Sequence, residues 1–197
     1  MNVSFGNMSS IKTRKEEDFI KWYHEVIEAT KLVDFTVVKG CVVYHEYCLM
    51  IWERIKKYLD IKLEQLGFKE YYFPVLIPLK SLKKQEKHFE DFFKEVLVIS
   101  KAGHTNLEEE YVIRPTSEAI IYESIAKWVK EEKHLPLCIN QYCSVMRWES
   151  FKPNMPLLRG NEFLWQESHS VHSSEKEADE YTKKILDIYK ELHEKYL

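Results

Sequence analysis

Hydrophobic positions recur along the chain with two different spacings, and these spacings divide it into helices and strands. Helical spacing of apolar residues predicts helices over about residues 16–30, 43–66, 116–130 and 174–196. Aromatic and β-branched residues predict strands over about residues 71–78, 96–100, 137–149 and 162–169. Helices and strands are mixed along the chain, and neighbouring strands are joined by loops. This order favours an α+β fold with a mainly antiparallel sheet flanked by helices.

Residues with special backbone preferences mark where these elements begin and end. Gly67 follows the second helix, where a helix C-cap is expected, and Thr116 is placed to cap the third. The run that begins at Ser174 fits a capping box at the start of the last helix. Pro74 and Pro78 cannot donate to a strand ladder, so the strand over 71–78 should lie at a sheet edge or where the ladder is interrupted.

The charge balance gives no support to nucleic-acid binding by this chain. The net charge is -3 and the pI is about 6.3, whereas proteins that bind nucleic acid mainly through its phosphates are usually basic. Any such contact should therefore be local or lie outside this chain. No stretch has the apolar core of a signal peptide or the length of a membrane span. We expect a cytoplasmic location, a disordered tail over residues 1–12 and a folded region over residues 13–197.

The four cysteines and eight histidines show no spacing that is typical of a metal site. No CxxC pair occurs, and Cys138 and Cys143 lie in an apolar stretch. We expect reduced and mostly buried thiols, and we predict no metal-binding residue.

Polar and aromatic residues that could bind a ligand concentrate in the strand pair between residues 141 and 169. The two-residue period of a strand would place Arg147 and Glu149 on one face. On the partner strand the same period would group two aromatic rings, a carboxylate and an imidazole: Phe163, Trp165, Glu167 and His169. This set is unusual for a core, and it suits a site that holds a flat base together with a small polar ligand.

The loop over residues 150–161 is longer than an ordinary hairpin connection and carries Lys152, Arg159 and Gly160. Basic side chains on such a loop suit a phosphate chain, because guanidinium matches phosphate oxygens in a forked geometry. Each feature taken singly has a simpler interpretation. An arginine and a glutamate on a strand usually form a solvated ion pair, and Glu118 near a helix start offsets the helix dipole. The combination at these spacings favours a ligand site.

Several segments resemble class II aminoacyl-tRNA synthetases, and in particular the prolyl-tRNA synthetases of the archaeal and eukaryotic type. An arginine and a glutamate, a loop and a strand with a phenylalanine form a motif of that class, and it is similar to Arg147-Trp148-Glu149 followed by Glu162-Phe163-Leu164-Trp165-Gln166-Glu167. Arg114-Pro115-Thr116-Ser117-Glu118 resembles the family's proline-site segment. The resemblance covers nearly all of residues 16–197 and implies a class II fold, incomplete at its C-terminus.

The resemblance implies a role for each matching residue. Arg147 would bind the α-phosphate of ATP and the proline carboxylate, Arg159 the outer phosphates, and Phe163 would stack on adenine, with Glu149 and Gly160 nearby. Thr116 and Glu118 would receive the proline imino group, with Glu167 beside them. Phe92, Trp165 and His169 would wall the pyrrolidine ring. The implied activity is the ATP-dependent joining of proline to tRNA through prolyl-adenylate, with Mg²⁺ accompanying ATP.

The resemblance also implies partners. The helix ending at Leu66 and the strand around Pro74 are similar to the first class II motif, which builds a homodimer interface. Contacts with tRNA would lie mainly outside this chain. Nothing in the chain resembles the third class II motif or an anticodon-binding domain, so we expect this chain alone to have little or no aminoacylation activity.

Some positions depart from the family pattern, and other interpretations stay open. Gly160-Asn161 stands where family members usually have Thr-Arg, and Ala119 and Lys94 replace a common threonine and proline. One alternative is a non-catalytic, synthetase-derived module that keeps the dimer surface and binds a partner. Another is a sister ligase for threonine or serine. That alternative fits less well, because Trp165 and His169 suit a ligand with an apolar ring better.

Overall fold

A computed structural model describes residues 11–84, 95–149 and 155–196. Most of the tail predicted over residues 1–12 lies outside these ranges, as do Phe92 and the first five residues of the long loop, 150–154. The chain groups into two compact units. The first unit holds the described residues of Met1–Glu53 and Arg147–Phe163, and the second holds those of Arg54–Met146 and Leu164–Leu197.

Helices and strands alternate irregularly, as the sequence predicts for an α+β fold. The helices are α1 (Phe19–Thr30), α2 (Glu46–Gln65), α3 (Leu79–Lys83), α4 (Glu118–Trp128) and α5 (Glu175–Tyr196), with a 3₁₀ turn at Glu132–His134. The strands are β1 (Val33–Phe35), β2 (Val42–Tyr44), β3 (Lys69–Glu70), β4 (Leu76–Pro78), β5 (Val98–Ala102), β6 (Thr105–Ile113), β7 (Leu137–Met146) and β8 (Glu162–Val171). Within the described ranges, no helix combines the length and apolar character that a membrane crossing requires.

The strands form three small sheets. β1 pairs with β2, and β6 lies between β4 and β5, with antiparallel pairing throughout both sheets. In the third sheet β7 lies between β3 and β8, and the short β3 runs parallel to β7. The mainly antiparallel arrangement predicted from the sequence is therefore confirmed, with one short parallel pair.

Capping explains where the helices begin and end. The Asp18 side chain accepts a hydrogen bond from the Lys21 N–H at 3.0 Å, so α1 begins at Phe19 rather than at residue 16. Gly67 has φ +85°, and its N–H bonds the Glu64 carbonyl, which confirms the predicted C-cap of α2. Thr116 does not cap α4. The N-cap position is Ser117, without a side-chain cap bond, and the Thr116 hydroxyl donates to Glu118 instead.

Two predicted elements are shorter than expected because other partners satisfy the backbone. The predicted second helix begins at Glu46, since residues 42–44 pair with β1 as strand β2. The predicted strand over 71–78 keeps only β4. Before β4, the Phe73 N–H donates to the Gln141 side chain at 2.5 Å, and the Phe73 carbonyl accepts from Arg114 Nη1 at 2.7 Å. Side chains therefore replace the strand ladder beside Pro74.

The core of the second unit consists of two apolar clusters on either side of α4. Phe73, Ile121, Ile125 and Ile139 form one, and Ile77, Leu82, Val112 and Ala119 form the other. Arg114 lies between these layers with only 1% of its surface exposed. Its Nε donates to the Ser144 carbonyl at 2.8 Å, and its guanidinium lies against the Tyr72 ring. Because it donates to two carbonyls, this buried cation fixes the start of the segment that leads into α4.

Candidate functional site

Arg147 and Glu149 lie beyond the end of β7, so the sequence-based expectation that they share a strand face is wrong. β7 ends at Met146. The Arg147 N–H donates to the Asn161 carbonyl at 2.8 Å, and the Glu149 N–H donates to the Arg147 carbonyl at 2.8 Å. The chain turns here instead of continuing the ladder, and the turn sets the positions of both side chains.

Arg147 and Phe163 form a cation–π pair within the first unit. The guanidinium carbon of Arg147 lies 5.4 Å from the centre of the Phe163 ring. At this separation the positive charge is attracted to the electron-rich ring face. The pair brings a guanidinium group and an aromatic ring together in one unit. The ligand roles predicted for these two residues stay predictions.

Arg159, near the end of the loop, forms an ion pair with Glu149, which lies just before the loop. Arg159 Nε lies 2.6 Å from Glu149 Oε2, and the Glu149 side chain is only 9% exposed whereas that of Arg159 is 61% exposed. The backbone supports this ion pair, because the Arg159 N–H donates to the Met155 carbonyl at 2.7 Å. The nearby Pro156 carbonyl accepts from the Tyr23 hydroxyl of α1 at 2.5 Å. The buried carboxylate thus orients an exposed guanidinium that can meet a phosphate chain.

Gly160 occupies a place that no other residue fits without a shift. A Cβ atom on Gly160 would lie 2.8 Å from the backbone oxygen of Gly40. That oxygen also accepts the N–H of Asn161 at 2.7 Å. The absence of a side chain at 160 therefore lets the loop lie directly against the Gly40 backbone.

The second unit holds a cluster of polar side chains centred on the buried carboxylate of Glu167. Oε1 accepts from Gln141 Nε2 at 2.7 Å and from the Cys143 thiol at 3.6 Å. Oε2 lies 3.1 Å from His169 Nε2 and accepts the Ser117 N–H at 3.4 Å. Four partners therefore surround one carboxylate, and they join β7, β8 and the start of α4.

Burial and hydrogen bonding act in opposite directions on this carboxyl group. Burial alone would raise the pKa of Glu167, but the hydrogen bonds from His169, Ser117 and Gln141 outweigh it and hold the pKa below its ordinary value. Glu167 is therefore charged at neutral pH, and it lends negative charge to His169.

The remaining predicted residues of the cluster surround this network. Thr116 is 2% exposed, and its hydroxyl donates to the partly exposed Glu118 carboxylate. Trp165 Nε1 donates to Cys143 Sγ at 3.3 Å. The His169 ring meets the Tyr122 ring edge-on, with centroids 5.7 Å apart. Two rings and two carboxylates in one unit can hold a small apolar ring that carries a positive nitrogen.

Sequence reasoning missed several residues that build the site, namely Ser117, Tyr122, Gln141, Cys143 and Asn161. Gln141 is fully buried and also bonds the Ser117 hydroxyl at 3.0 Å. A glutamine inside an otherwise apolar strand is a signal that could have identified it, since a buried amide needs partners. The thiols behave as predicted: all four cysteines are free, and burial raises the pKa of Cys143 to about 11.

Among the described residues, no group of three or more His, Cys, Asp or Glu side chains is arranged to hold a metal ion. The described polar groups form two sets. The first unit holds two arginines and an aromatic ring, and the second holds a carboxylate-centred network.

Comparison with known proteins identifies the class. Residues 82–197 match the model of the class II tRNA synthetase core domain, which serves synthetases denoted G, H, P, S and T. The chain belongs to this family. Within it, the chain is 46% identical over 190 residues to a proline–tRNA ligase of Borrelia garinii, and 42% identical over 187 residues to that of Encephalitozoon cuniculi. It spans about 38% of the length of these curated relatives.

A solved structure extends the comparison to the fold. The prolyl-tRNA synthetase of Cryptosporidium parvum, solved in complex with halofuginone and AMPPNP, superimposes with a TM-score of 0.87 at 38% identity. The match covers 95% of this chain and 37% of that one. The predicted resemblance to prolyl-tRNA synthetases, over the N-terminal part of the catalytic domain, is confirmed in both sequence and fold.

Proposed function

We propose that this chain carries ATP- and proline-binding residues of a proline–tRNA ligase that acts in the cytoplasm. In this reaction an oxygen of the proline carboxylate bonds to the α-phosphorus of ATP as the bond to pyrophosphate breaks. The activated carbonyl of prolyl-adenylate then passes to a tRNA hydroxyl, and AMP leaves. No covalent bond to the protein is needed, so orientation and electrostatics would supply the rate.

The first unit supports the nucleotide part of the proposal. Phe163 would stack on adenine, Arg147 would bind the α-phosphate and the proline carboxylate, and Arg159 would bind the outer phosphates. Glu149 would hold Arg159 in place through their 2.6 Å contact. Gly160 would leave the loop backbone open to the adenine edge. Mg²⁺ would arrive as the counter-ion of ATP, and we assign no described residue to it.

The second unit supports the amino-acid part, and the network around Glu167 is the observation that carries it. Thr116 and Glu118 would receive the secondary ammonium of proline, because a carboxylate and a hydroxyl satisfy its two N–H groups. Trp165 and His169 would flank the pyrrolidine ring. Glu167 would support the site indirectly, because its hydrogen bonds hold His169 and Ser117 in position. Phe92, the other predicted wall, lies outside the described residues and stays a prediction.

Exposed apolar side chains and the net charge of the chain bear on two kinds of partner, a second copy of the chain and tRNA. In the first unit, α2 exposes Leu49, Met50 and Ile51, and in the second unit Val75 and Leu76 are exposed beside Pro74. We propose that these two segments contribute to a homodimer interface. Sedimentation analysis should show a dimer that Met50→Glu dissociates. Lys57→Gln, which also lowers the net charge by one unit and lies at an exposed position of α2, should leave the dimer intact. The net charge of -3 accords with tRNA contacts that lie mainly outside this chain.

Calorimetry with the purified chain tests the ligand proposal. We expect saturable binding of ATP with Mg²⁺ and of L-proline, with alanine and threonine bound more weakly. Thr116→Val removes one hydroxyl and should weaken proline binding roughly tenfold without changing ATP binding. Thr182→Val on α5 is the matched control and should change neither. Binding of neither ATP nor proline would contradict the proposal and would favour a synthetase-derived module that binds another partner.

A further inference from the structure

Asn161 is a buried polar residue between the loop and β8. Only 4% of its surface is exposed. All four of its backbone and amide polar groups have partners in the first unit. Such full satisfaction of a buried amide is typical of a residue that fixes its surroundings.

One side of Asn161 holds the backbone that carries Arg147 and Glu149. The Asn161 carbonyl accepts the Arg147 N–H at 2.8 Å, and Oδ1 accepts the Glu149 N–H at 3.2 Å. These contacts span the turn that follows β7. The first bond joins two main-chain groups, so any residue at position 161 would keep it, whereas the second needs the asparagine side chain. The side chain therefore adds a second tether to this turn.

The other side of Asn161 holds the turn at Lys39 and Gly40. Nδ2 donates to the Lys39 carbonyl at 2.9 Å, and the Asn161 N–H donates to the Gly40 carbonyl at 2.7 Å. Gly40 has φ +75°, and a Cβ atom there would lie 2.6 Å from Asn161 Cγ. The asparagine side chain therefore fills the space that Gly40 leaves, so its amide cannot turn away without losing contacts.

We propose that Asn161 is a positioning residue for nucleotide binding, which ties the Arg147–Glu149 turn to the Lys39–Gly40 turn. The side chain does this because an amide carries both an acceptor, used by the Glu149 N–H, and a donor, used on the Lys39 carbonyl. The inference rests on the proposed ATP binding. Asn161 touches no ligand in this account, and its effect passes through Arg147 and Glu149.

The test compares ATP affinity in a double-mutant cycle on the full chain. Asn161→Ala should weaken ATP binding roughly tenfold, because small displacements of a phosphate-binding arginine are costly. In an Arg147→Ala background the same change should have a much smaller effect, since the positioned group is already gone. If Asn161→Ala does not unfold cooperatively, Asn161→Asp, which keeps the volume and the Oδ1 acceptor, replaces it in the cycle.

Asn140→Ala is the matched control. Asn140 is also buried, and its side chain accepts hydrogen bonds from Gln166 and Ser168 in the second unit. This variant should lose stability while keeping the ATP affinity of the wild type. Amide hydrogen exchange gives a second readout. In Asn161→Ala the Glu149 N–H keeps only the Arg147 carbonyl as acceptor, so it should lose part of its protection, whereas Asn140→Ala should leave that protection unchanged.

The possible results separate the two proposals. A wild-type chain that does not bind ATP overturns the proposed function, and the role of Asn161 falls with it. If the wild type binds ATP and Asn161→Ala binds it equally well, the positioning role is wrong while the function stands. If Asn161→Ala weakens ATP binding equally in the wild-type and Arg147→Ala backgrounds, the effect of Asn161 does not pass through Arg147. A loss that vanishes without Arg147, together with lower protection of the Glu149 amide, supports the inference.

Discussion

The guanidinium carbon of Arg147 lies 5.4 Å from the centre of the Phe163 ring. A flat base that stacks on this ring would therefore lie in a positive field, which suits a nucleotide better than a neutral aromatic ligand. We expect Phe163→Ala to weaken ATP binding by about 1–3 kcal/mol, the usual contribution of one base stacked on an aromatic side chain. Calorimetry with ATP measures the loss.

Phe163→Trp keeps a stacking face and should retain most of the affinity. Phe35→Ala removes an exposed ring elsewhere in the first unit and should have no effect. An adenosine affinity that is the same for wild type and Phe163→Ala would contradict the stacking role.

Arg159 is expected to distinguish ATP from adenosine. Arg159→Lys keeps the charge but loses the planar fork that contacts Glu149 and that would bind phosphate oxygens. We expect ATP affinity to fall roughly tenfold while adenosine affinity stays constant. Arg14→Lys changes an exposed arginine of the same unit and is the control. An equal loss for adenosine would mean that Arg159 supports the fold of the loop rather than the phosphates.

The charged Glu167 should stabilise the fold at neutral pH but not in acid. Because its folded pKa lies below the ordinary value of 4.5, its contribution is complete above pH 4.5 and is lost as the pH falls further, through the folded pKa. We expect Glu167→Gln to lower the free energy of unfolding by about 1–3 kcal/mol at pH 7, since its amide cannot accept from every donor around it.

Urea denaturation of wild type and Glu167→Gln across pH 7 to 3 tests this dependence. The difference between them should shrink below pH 4.5. Glu132→Gln, which neutralises an exposed glutamate, should match wild type at every pH. A difference that persists unchanged at pH 3 would show that charge is not what Glu167 contributes.

Cys143 should resist alkylation in the native protein. Burial raises its pKa to about 11, so at pH 8 only about one thiol in a thousand is the reactive thiolate. Mass spectrometry after brief iodoacetamide treatment should find Cys143 unmodified until urea unfolds the chain. Ser100→Cys places a thiol on an exposed position of β5 and should react at once. Rapid native labelling of Cys143 would contradict its burial beneath Trp165.

The sequence predicted the order of most elements, and it missed those whose local composition does not match the structure that they form. The strand β6 went unrecognised because Thr105–Glu110 is polar and charged, which is unusual for a strand. Pairing with β4 and β5 overrides that local preference. In the same way, residues 71–75 have strand composition, but Arg114 and Gln141 take their backbone groups.

The candidate site shows the same limits of local patterns. The family resemblance selected Thr116, Phe163, Trp165 and His169 as candidates, because each belongs to a short motif, and their ligand roles stay predictions. Spacing could not place Arg147 and Glu149, since the turn after Met146 depends on Asn161, twelve or more residues away. Nor could it reveal Gln141, whose amide joins Phe73 to Glu167 across 68 and 26 residues of chain.

The side-chain amide of Gln141 contacts both the apolar core and the polar cluster of the second unit. Its oxygen holds the backbone of Phe73 in the apolar core, and its nitrogen holds Glu167 and Ser117 in the polar cluster. A mutation here would disturb the apolar core and the polar cluster together, because one side chain supplies a contact to each. Under the proposed function, a change in the amino acid that this site binds would therefore have to arise at the neighbours of Gln141 and leave this residue in place.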